Sequence, residues 1–234
     1  MKTVVIAQSN YIPWRGYFAM ISLADELILL DSVQYTKNDW RNRNIIKTPS
    51  GPQWLTIPVA RRFPQAIDEA RVVAADWAER HIQAMQHNYR RAKAFDETSS
   101  WLFPRLRTAA GFPLLTDVNH YLIREVCRRL GVTRIIRRCT DIISREALAN
   151  MEPTERLVRL CGSIGATRYL TGPAARDYLL LDRFEHAGIE VKWMDHGWLP
   201  QYPQCWNGFE PRLSIVDLLL NCGNLAPDFL QPSS

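Results

Sequence analysis

The stretch 3-TVVIAQSNYIPWRGYFAMISLADELILLD-31 decides the fold. Thr3 to Ala7 form a β-branched apolar run with the look of a buried strand. A polar, proline-containing loop, QSNYIPWRG, follows. From Gly16 to Ala24 the residues Phe18, Ile21 and Leu23 fall at helical spacing, and ELILL (26–30) returns to strand before Asp31. Strand, loop, helix and strand in this order is the βαβ beginning of a parallel sheet. In such sheets ligands bind beyond the carboxyl ends of the strands, where the Gln8–Trp14 loop and the stretch after Asp31 are expected to lie.

The alternation continues outward. QWLTIPV (53–59), RVVAA (71–75), TRIIRR (133–138), RYLTG (168–172) and IEVKWM (189–194) read as strands. Residues 77–95 predict a helix with Ile82, Met85, Tyr89 and Ala92 on one face; 101–109, 114–130, 153–164, 176–188 and 211–221 read as further helices. Gly131, Gly165 and Gly223 stand where helices stop. The pattern predicts an α/β fold: a mostly parallel, Rossmann-like sheet with flanking helices and a helical insertion at about 75–130. Residues 1–223 read as a single α/β domain and 224–234 as a loosely attached tail.

Composition narrows the class. Hydrophobic residues at 47% and charged residues at 23% suit a globular core and argue against disorder. Lys and Arg exceed Asp and Glu by 29 to 24, an excess that suggests an anionic ligand but is too small to indicate nucleic acid. The apolar run Val4–Ala7 is too short for a signal peptide, and no stretch approaches the roughly 18 apolar residues of a membrane span. A soluble, cytoplasmic protein is expected. The cysteines, Cys127, Cys139, Cys161, Cys205 and Cys222, are odd in number and form no CxxC pair, against a disulfide framework or a thiolate zinc site. Cys127 and Cys161 sit in helical patterns and read as core residues.

The densest polar cluster is 34–47. Lys37, Arg41, Arg43 and Lys47 are interleaved with Gln34, Asn38, Trp40, Asn42 and Asn44. Arginine suits bidentate phosphate or carboxylate recognition, and Asn can bind a base or sugar edge. If the segment is extended, Arg41 and Arg43 share one side and Asn42 faces the other. A solvated loop with incidental charge is the plainer alternative. In the preceding loop Gln8 and Asn10 can hydrogen-bond a ligand, while Tyr11, Trp14 and Tyr17 can stack on a ring. Gly16 would let a backbone approach closely, and a helix starting there would aim N–H groups at a phosphate. That loop can equally be packed by its own aromatics. A second wall is expected from YLTGPAARDYL (169–179), with Thr171, Gly172 and Tyr178.

Candidates for proton transfer are few. Asp31 ends the second strand, a common place for a carboxylate that binds ribose or orients a base. His81, within RHIQAMQHNY, can serve as a general base or be a satisfied helix histidine. His81 and His87 lie six apart, off the four-residue spacing of paired ligands on a helix, so no metal site is expected. No Walker loop, Rossmann glycine fingerprint or GxSxG motif occurs, and the sequence names no cofactor.

Taken in order, VVIAQSNYIPWRGYF, LLDSVQYTKNDWRNRNIIKTPSGPQWLTIPV, YLTGPAARDYL and YPQCWNGFEPRLSIVDLLLNCG resemble the WbqC-like protein family of bacteria, over residues 3 to 223. The helix RHIQAMQHNYRRAKAFDE, with His81, Asn88, Tyr89 and Ala94, fits the family's pattern, while Ser9 stands where the family often has Pro. The resemblance implies a place in O-antigen or other surface-polysaccharide biosynthesis. It suggests a transferase acting on a nucleotide-linked sugar or other phosphorylated metabolite, with Gln8, Asn10 and Tyr11 orienting the substrate and Lys37, Arg41 and Arg43 neutralising phosphate. A non-catalytic binding or regulatory module of such a cluster is the alternative, and single-stranded nucleic acid a weaker one. The opening also resembles nucleotidylyltransferases and pantothenate synthetase, with Trp14-Arg15-Gly16-Tyr17 where those enzymes carry His-x-Gly-His.

Overall fold

In the computed structural model, residues 1–60, 62–74 and 76–231 are described. Strand β1 (Thr3–Ala7) runs beside β2 (Glu26–Leu29), with helix α1 (Arg15–Ser22) between them in sequence. The pairing is parallel, Val4 against Glu26 through Ala7 against Leu29, as the opening βαβ pattern predicts. Strands β5 (Ile135–Arg138), β6 (Arg168–Thr171) and β7 (Glu190–Trp193) complete a five-stranded sheet of order β5-β2-β1-β6-β7. Every pairing in it is parallel. The fold is α/β and Rossmann-like. From β1 the chain builds outward through β2 to β5, then crosses back to place β6 and β7 on the other side. The point where the direction reverses lies between β1 and β6.

Alternation along β1 explains why the sheet has two apolar faces. Val5 joins Leu27 and Leu29 under α1, α4 (Leu115–Arg129) and α8 (Ile215–Cys222). Val4 and Ile6 join Ile28 on the opposite face, under α6 (Pro153–Ser163) and α7 (Leu181–His186). A third core lies off the sheet. It is built from α2 (Trp77–Tyr89), α3 (Phe95–Ala110), α4 and the hairpin β3 (Arg43–Thr48)–β4 (Gly51–Thr56). Trp77, Ile82, Met85 and Tyr89 supply the α2 side of that core, all within 1% of full burial. The insertion at about 75–130 is thus a three-helix unit that shares α4 with the sheet.

Several expectations need correction. The segment 43–48 of the polar cluster is a strand, not the solvated loop that was the plainer alternative, with Asn44, Ile46 and Lys47 buried and Arg43, Ile45 and Thr48 half-buried. It pairs with β4 in a separate antiparallel ribbon, so residues 53–59 contribute nothing to the parallel sheet. Among the described residues of 71–75 there are only single bridges, Val72 to Val59 and Arg71 to Leu114. A short helix, α5 (Arg145–Asn150), was not anticipated; Ser144 caps it by accepting from the Ala147 N–H. The final helix begins at Ile215, four residues later than its apolar pattern suggests, because Ser214 is its N-cap. The tail is also tighter than expected. Gly223–Leu230 forms 3-10 turns, and Ala226 and Leu230 are buried against the α1 side of the sheet, because their side chains extend the apolar stripe of α8. Residues 232–234 lie outside the described residues.

Candidate functional site

Strands β1 and β2 end side by side, so the residues that follow them, Gln8-Ser9-Asn10 and Asp31, are neighbours. Asp31 is buried, and its carboxylate accepts the Ser9 N–H at 2.8 Å, the Ser9 hydroxyl at 2.7 Å and the Thr116 hydroxyl at 2.6 Å. His120 Nε2 lies 3.0 Å from the same carboxylate. Burial alone would raise this carboxyl, but the bonds from His120, Ser9 and Thr116 outweigh it and hold the pKa below the ordinary value. The group is therefore a buried anion. Thr116, Asn119 and His120 stand at i, i+3 and i+4 on one face of α4. Asn119 donates from Nδ2 to the Arg41 carbonyl at 2.8 Å and lies 3.3 Å from the Ser9 hydroxyl. One turn of α4 thus ties together the loop after β1, the end of β2 and the segment carrying Arg41.

Arg41 is the cation of the site. Its guanidinium donates to Asn10 Oδ1 at 2.7 Å and to Gln8 Oε1, and lies 3.5 Å from the Asp39 carboxylate. Its Nε is buried with no hydrogen-bond partner. Burial pulls its pKa down while Asp39 and Asp31 oppose that shift, and an arginine remains charged throughout. This side chain borders a cleft of about 580 Å³. One wall comes from the ends of β1 and β2, through Ala7, Gln8, Asn10 and Leu30; the other comes from Thr171 at the end of β6 and the turn Gly172–Tyr178. Tyr17 of α1 and Arg156 of α6 close its sides. The cleft occupies the reversal point between β1 and β6, the place where open α/β sheets bind ligands. Arg156 donates to the Leu148 and Met151 carbonyls at 2.9 and 3.0 Å, through Nε and Nη2, so its head is held while Nη1 has no partner among the described residues.

Seven residues proposed from sequence meet in this cleft: Gln8, Asn10, Tyr17, Arg41, Thr171, Gly172 and Tyr178. Tyr17 is buried and its hydroxyl donates to the Gln8 carbonyl at 3.2 Å, so it braces the loop rather than presenting a ring. Trp14 and Trp40 line an adjoining cavity of about 380 Å³ together with Asn10 and Arg212.

Other proposed residues lie elsewhere. Tyr11 is fully buried in the helical core, with its ring edge-on to Trp77 at 5.7 Å, and cannot stack on a ligand. His81 is buried beside it: Nδ1 is 2.8 Å from the Tyr11 hydroxyl and Nε2 is 3.3 Å from the Thr56 carbonyl. Burial pushes the imidazole down to about 4, so it is neutral at physiological pH, saturated, and not part of the cleft wall. Gly16 makes room for a side chain, not a ligand, since a Cβ there would sit 2.3 Å from the Trp14 ring. Asn42 is buried and donates to the Ile57 carbonyl at 2.8 Å. Arg41 and Arg43 do not share a side, because residues 37–42 are turns and extended structure begins only at Arg43. Arg43 instead lies 4.0 Å over the Trp54 ring and donates to the Asn38 carbonyl. Gln34 and Lys37 are exposed outside the cleft. Lys47 is buried and donates to Gln204 Oε1 at 3.0 Å and to the Trp206 and Gly208 carbonyls, a tie to the 200–212 loop.

Sequence reasoning overlooked Thr116, Asn119, His120, Arg156 and Arg212. For the first three a signal existed: polar residues at i, i+3 and i+4 of an otherwise apolar helix face mark a buried polar cluster. Arg156 and Arg212 carried no local signal. Among the described residues no group of three or more His, Cys, Asp or Glu is placed to hold a metal ion, and no helix is long and apolar enough to cross a membrane.

The sequence profile of the WbqC-like protein family matches residues 8–228. Uncharacterized protein Rv1507c of Mycobacterium tuberculosis (strain ATCC 25618 / H37Rv) is 44% identical over 233 residues, covering 99% of this chain and 98% of that protein. No solved structure matches.

Proposed function

This chain belongs to the WbqC-like protein family, and we propose that its cleft binds a phosphorylated or nucleotide-linked metabolite as the site of a transferase of surface-polysaccharide or related biosynthesis. The observation that carries this reading is Arg41: a guanidinium held by Gln8 and Asn10 at the mouth of the sheet's reversal point. Phosphate oxygens suit a guanidinium fork. Arg156 adds a second cation across the cleft. Asp31 acts through Ser9 as a positioning residue: its anion holds the loop that presents Gln8 and Asn10. Thr171, Gly172 and Tyr178 form the opposite wall. Transfer at a phosphate-linked centre needs chiefly alignment and charge neutralisation, which two fixed guanidinium groups supply.

The test pairs binding with turnover. Nucleotides and nucleotide-sugars are screened by thermal shift, since a ligand of the native state raises Tm by mass action; hits are then incubated with acyl and amino-acid co-substrates and products read by mass spectrometry. Arg41→Ala is expected to abolish the ligand-induced rise while the ligand-free Tm moves little. An undiminished rise in that variant defeats the assignment. One observation favours a second reading, a binding or regulatory module: among the described residues no Asp, Glu, His or Cys lines the cleft. Tight binding with no product from any co-substrate would select it.

A further inference from the structure

We propose that the cavity lined by Trp14 and Trp40 is a ring-binding lobe of the same cleft, and that the ligand is a nucleoside diphosphate derivative whose base stacks there while its phosphates lie against Arg41. This rests on the anion reading of the cleft and adds the chemical class of the ligand and its direction of binding. Asn10 and Ala174 line both cavities, so the two are contiguous and one molecule can occupy both. The smaller lobe has the character that the larger lacks: two indole rings with few polar groups between them.

Those rings are set before any ligand arrives. Trp14 lies over Gly16, where no side chain intervenes, and meets the edge of His196 with centroids 4.7 Å apart. Trp40 leans on Trp54 with centroids 5.4 Å apart and planes tilted by 38°, and the Arg43 guanidinium covers Trp54 at 4.0 Å. Trp40 and Trp54 nevertheless remain 40% and 43% exposed, a large apolar area left to water. A rigid slot of this kind loses little side-chain freedom on binding a flat ring. Donors for a base edge are at hand. Asn10 Oδ1 accepts from Arg41, which leaves Nδ2 to donate, and the Arg212 guanidinium has no partner among the described residues. Both donate to exocyclic carbonyls or ring nitrogens. A ligand that was only a sugar phosphate would satisfy Arg41 and leave the indole lobe empty.

Isothermal titration of the full chain with UDP, GDP, ADP, CDP and dTDP, with inorganic pyrophosphate, and with glucose 1-phosphate tests this. At least one nucleoside diphosphate is expected to bind roughly tenfold or more tighter than pyrophosphate. In Trp40→Ala, whose exposed ring can be removed without opening a core, that nucleotide should weaken by roughly ten- to a hundredfold while pyrophosphate is unchanged. Arg41→Ala should weaken both. Pyrophosphate binding with no preference for any base, nucleotide affinity indifferent to Trp40→Ala, or glucose 1-phosphate losing affinity in Trp40→Ala in the nucleotide's place would each overturn the ring lobe while leaving the anion site intact. Failure of every compound to bind the wild-type chain would overturn both.

Discussion

Two buried aspartates set a part of the molecule that keeps its charge into acid against a part that gives it up near pH 6. Asp31 is 3% exposed and Asp217 is fully buried, so desolvation presses both toward the neutral acid. They end on opposite sides of the ordinary value: Asp31 falls below it, and Asp217 is pushed up to about 6. Their donors make the difference. Asp31 has a backbone N–H, two hydroxyls and an imidazole converging on it from the loop after β1 and from α4. Asp217 of α8 has two phenols, Tyr89 at 2.7 Å and Tyr202 at 2.8 Å, and burial raises the pKa of both. Burial sets the penalty, and the donor set decides whether the ion survives it. Asp31, ionised well below neutrality, stands behind the cleft; Asp217, which takes up its proton near pH 6, sits where α2, α8 and the 200–212 loop are stitched together.

The largest expected effect removes the ion from the first cluster. Asp31→Ala leaves His120, Thr116 and the Ser9 N–H without an acceptor in a dry site, and stability should fall by about 3–5 kcal/mol in urea denaturation. The ligand-induced rise in Tm should vanish with it, since Gln8 and Asn10 lose their anchor. A loss below about 1 kcal/mol would mean that the cluster is wetter than its burial indicates, and the contrast with Asp217 would collapse.

Next comes pH. Asp217 is raised from 3.8 to about 6, so between those values the folded chain holds a proton that the unfolded chain has lost. Its contribution is present below that window and is lost as pH rises through it, by about 3 kcal/mol at 1.36 kcal/mol per unit. Asp31, with a lowered pKa, acts in the opposite sense: its contribution is present above the ordinary carboxylate range and is lost as pH falls. His81 also opposes Asp217, because burial lowers it from 6.5 to about 4 and acid must charge it. Asp217→Asn should therefore gain on the wild type by about 3 kcal/mol from pH 4 to 6.5 and unmask the acid sensitivity due to His81. Parallel stability curves for the two proteins would mean that Asp217 is ionised in the fold throughout.

The same comparison shows what the sequence could disclose. The βαβ opening was legible because TVVIA and ELILL are short, continuous, largely buried apolar runs on either side of a polar loop and a helical pattern. Gln8 and Asn10 were legible as polar residues just beyond a strand end, and Arg41 as one of the cations of the polar cluster 34–47. What escaped were relations set by long-range packing. His81 has the composition of a general base, but α2 turns it into the core against Tyr11. The i, i+3, i+4 cluster of Thr116, Asn119 and His120 could mark a buried polar site, but its partner Asp31 lies 89 residues from His120. Asp217 stands in the apolar run of α8, and both of its phenol donors, Tyr89 and Tyr202, come from outside that helix. The β3 strand was hidden by its own polar residues, Asn44 and Lys47, which face inward to satisfy backbone carbonyls rather than outward to water.

A finer version of the contrast deletes one hydroxyl from each cluster. Thr116→Val removes a 2.6 Å donor to an ionised carboxylate and keeps the shape of the side chain. A bond to a charged group contributes about 1.5–3 kcal/mol, so a loss in that range is expected by urea denaturation at pH 7. The Asp31 pKa should rise in the variant, moving the acid limb of the stability curve to higher pH. A loss under about 0.5 kcal/mol would indicate that His120 and Ser9 suffice.

Tyr202→Phe is the matching deletion and the smallest effect. Its ring keeps the contact with the Arg15 guanidinium, 5.1 Å from the centroid, so the change isolates the 2.8 Å bond to Asp217. Below pH 6 the acceptor is a neutral acid, and losing one neutral hydrogen bond costs about 0.5–1.5 kcal/mol. Above pH 6 the acceptor is the carboxylate and the same bond is charge-assisted, roughly twice as strong. The penalty in Tyr202→Phe should therefore grow with pH, from near 1 kcal/mol at pH 5 to about 2 kcal/mol at pH 8, whereas the penalty in Thr116→Val should be flat over that range because Asp31 is already ionised. Chemical denaturation of both variants at the two pH values reads the difference directly. A flat profile for Tyr202→Phe would place both aspartates in the same ionised state, and the distinction would then lie in geometry alone.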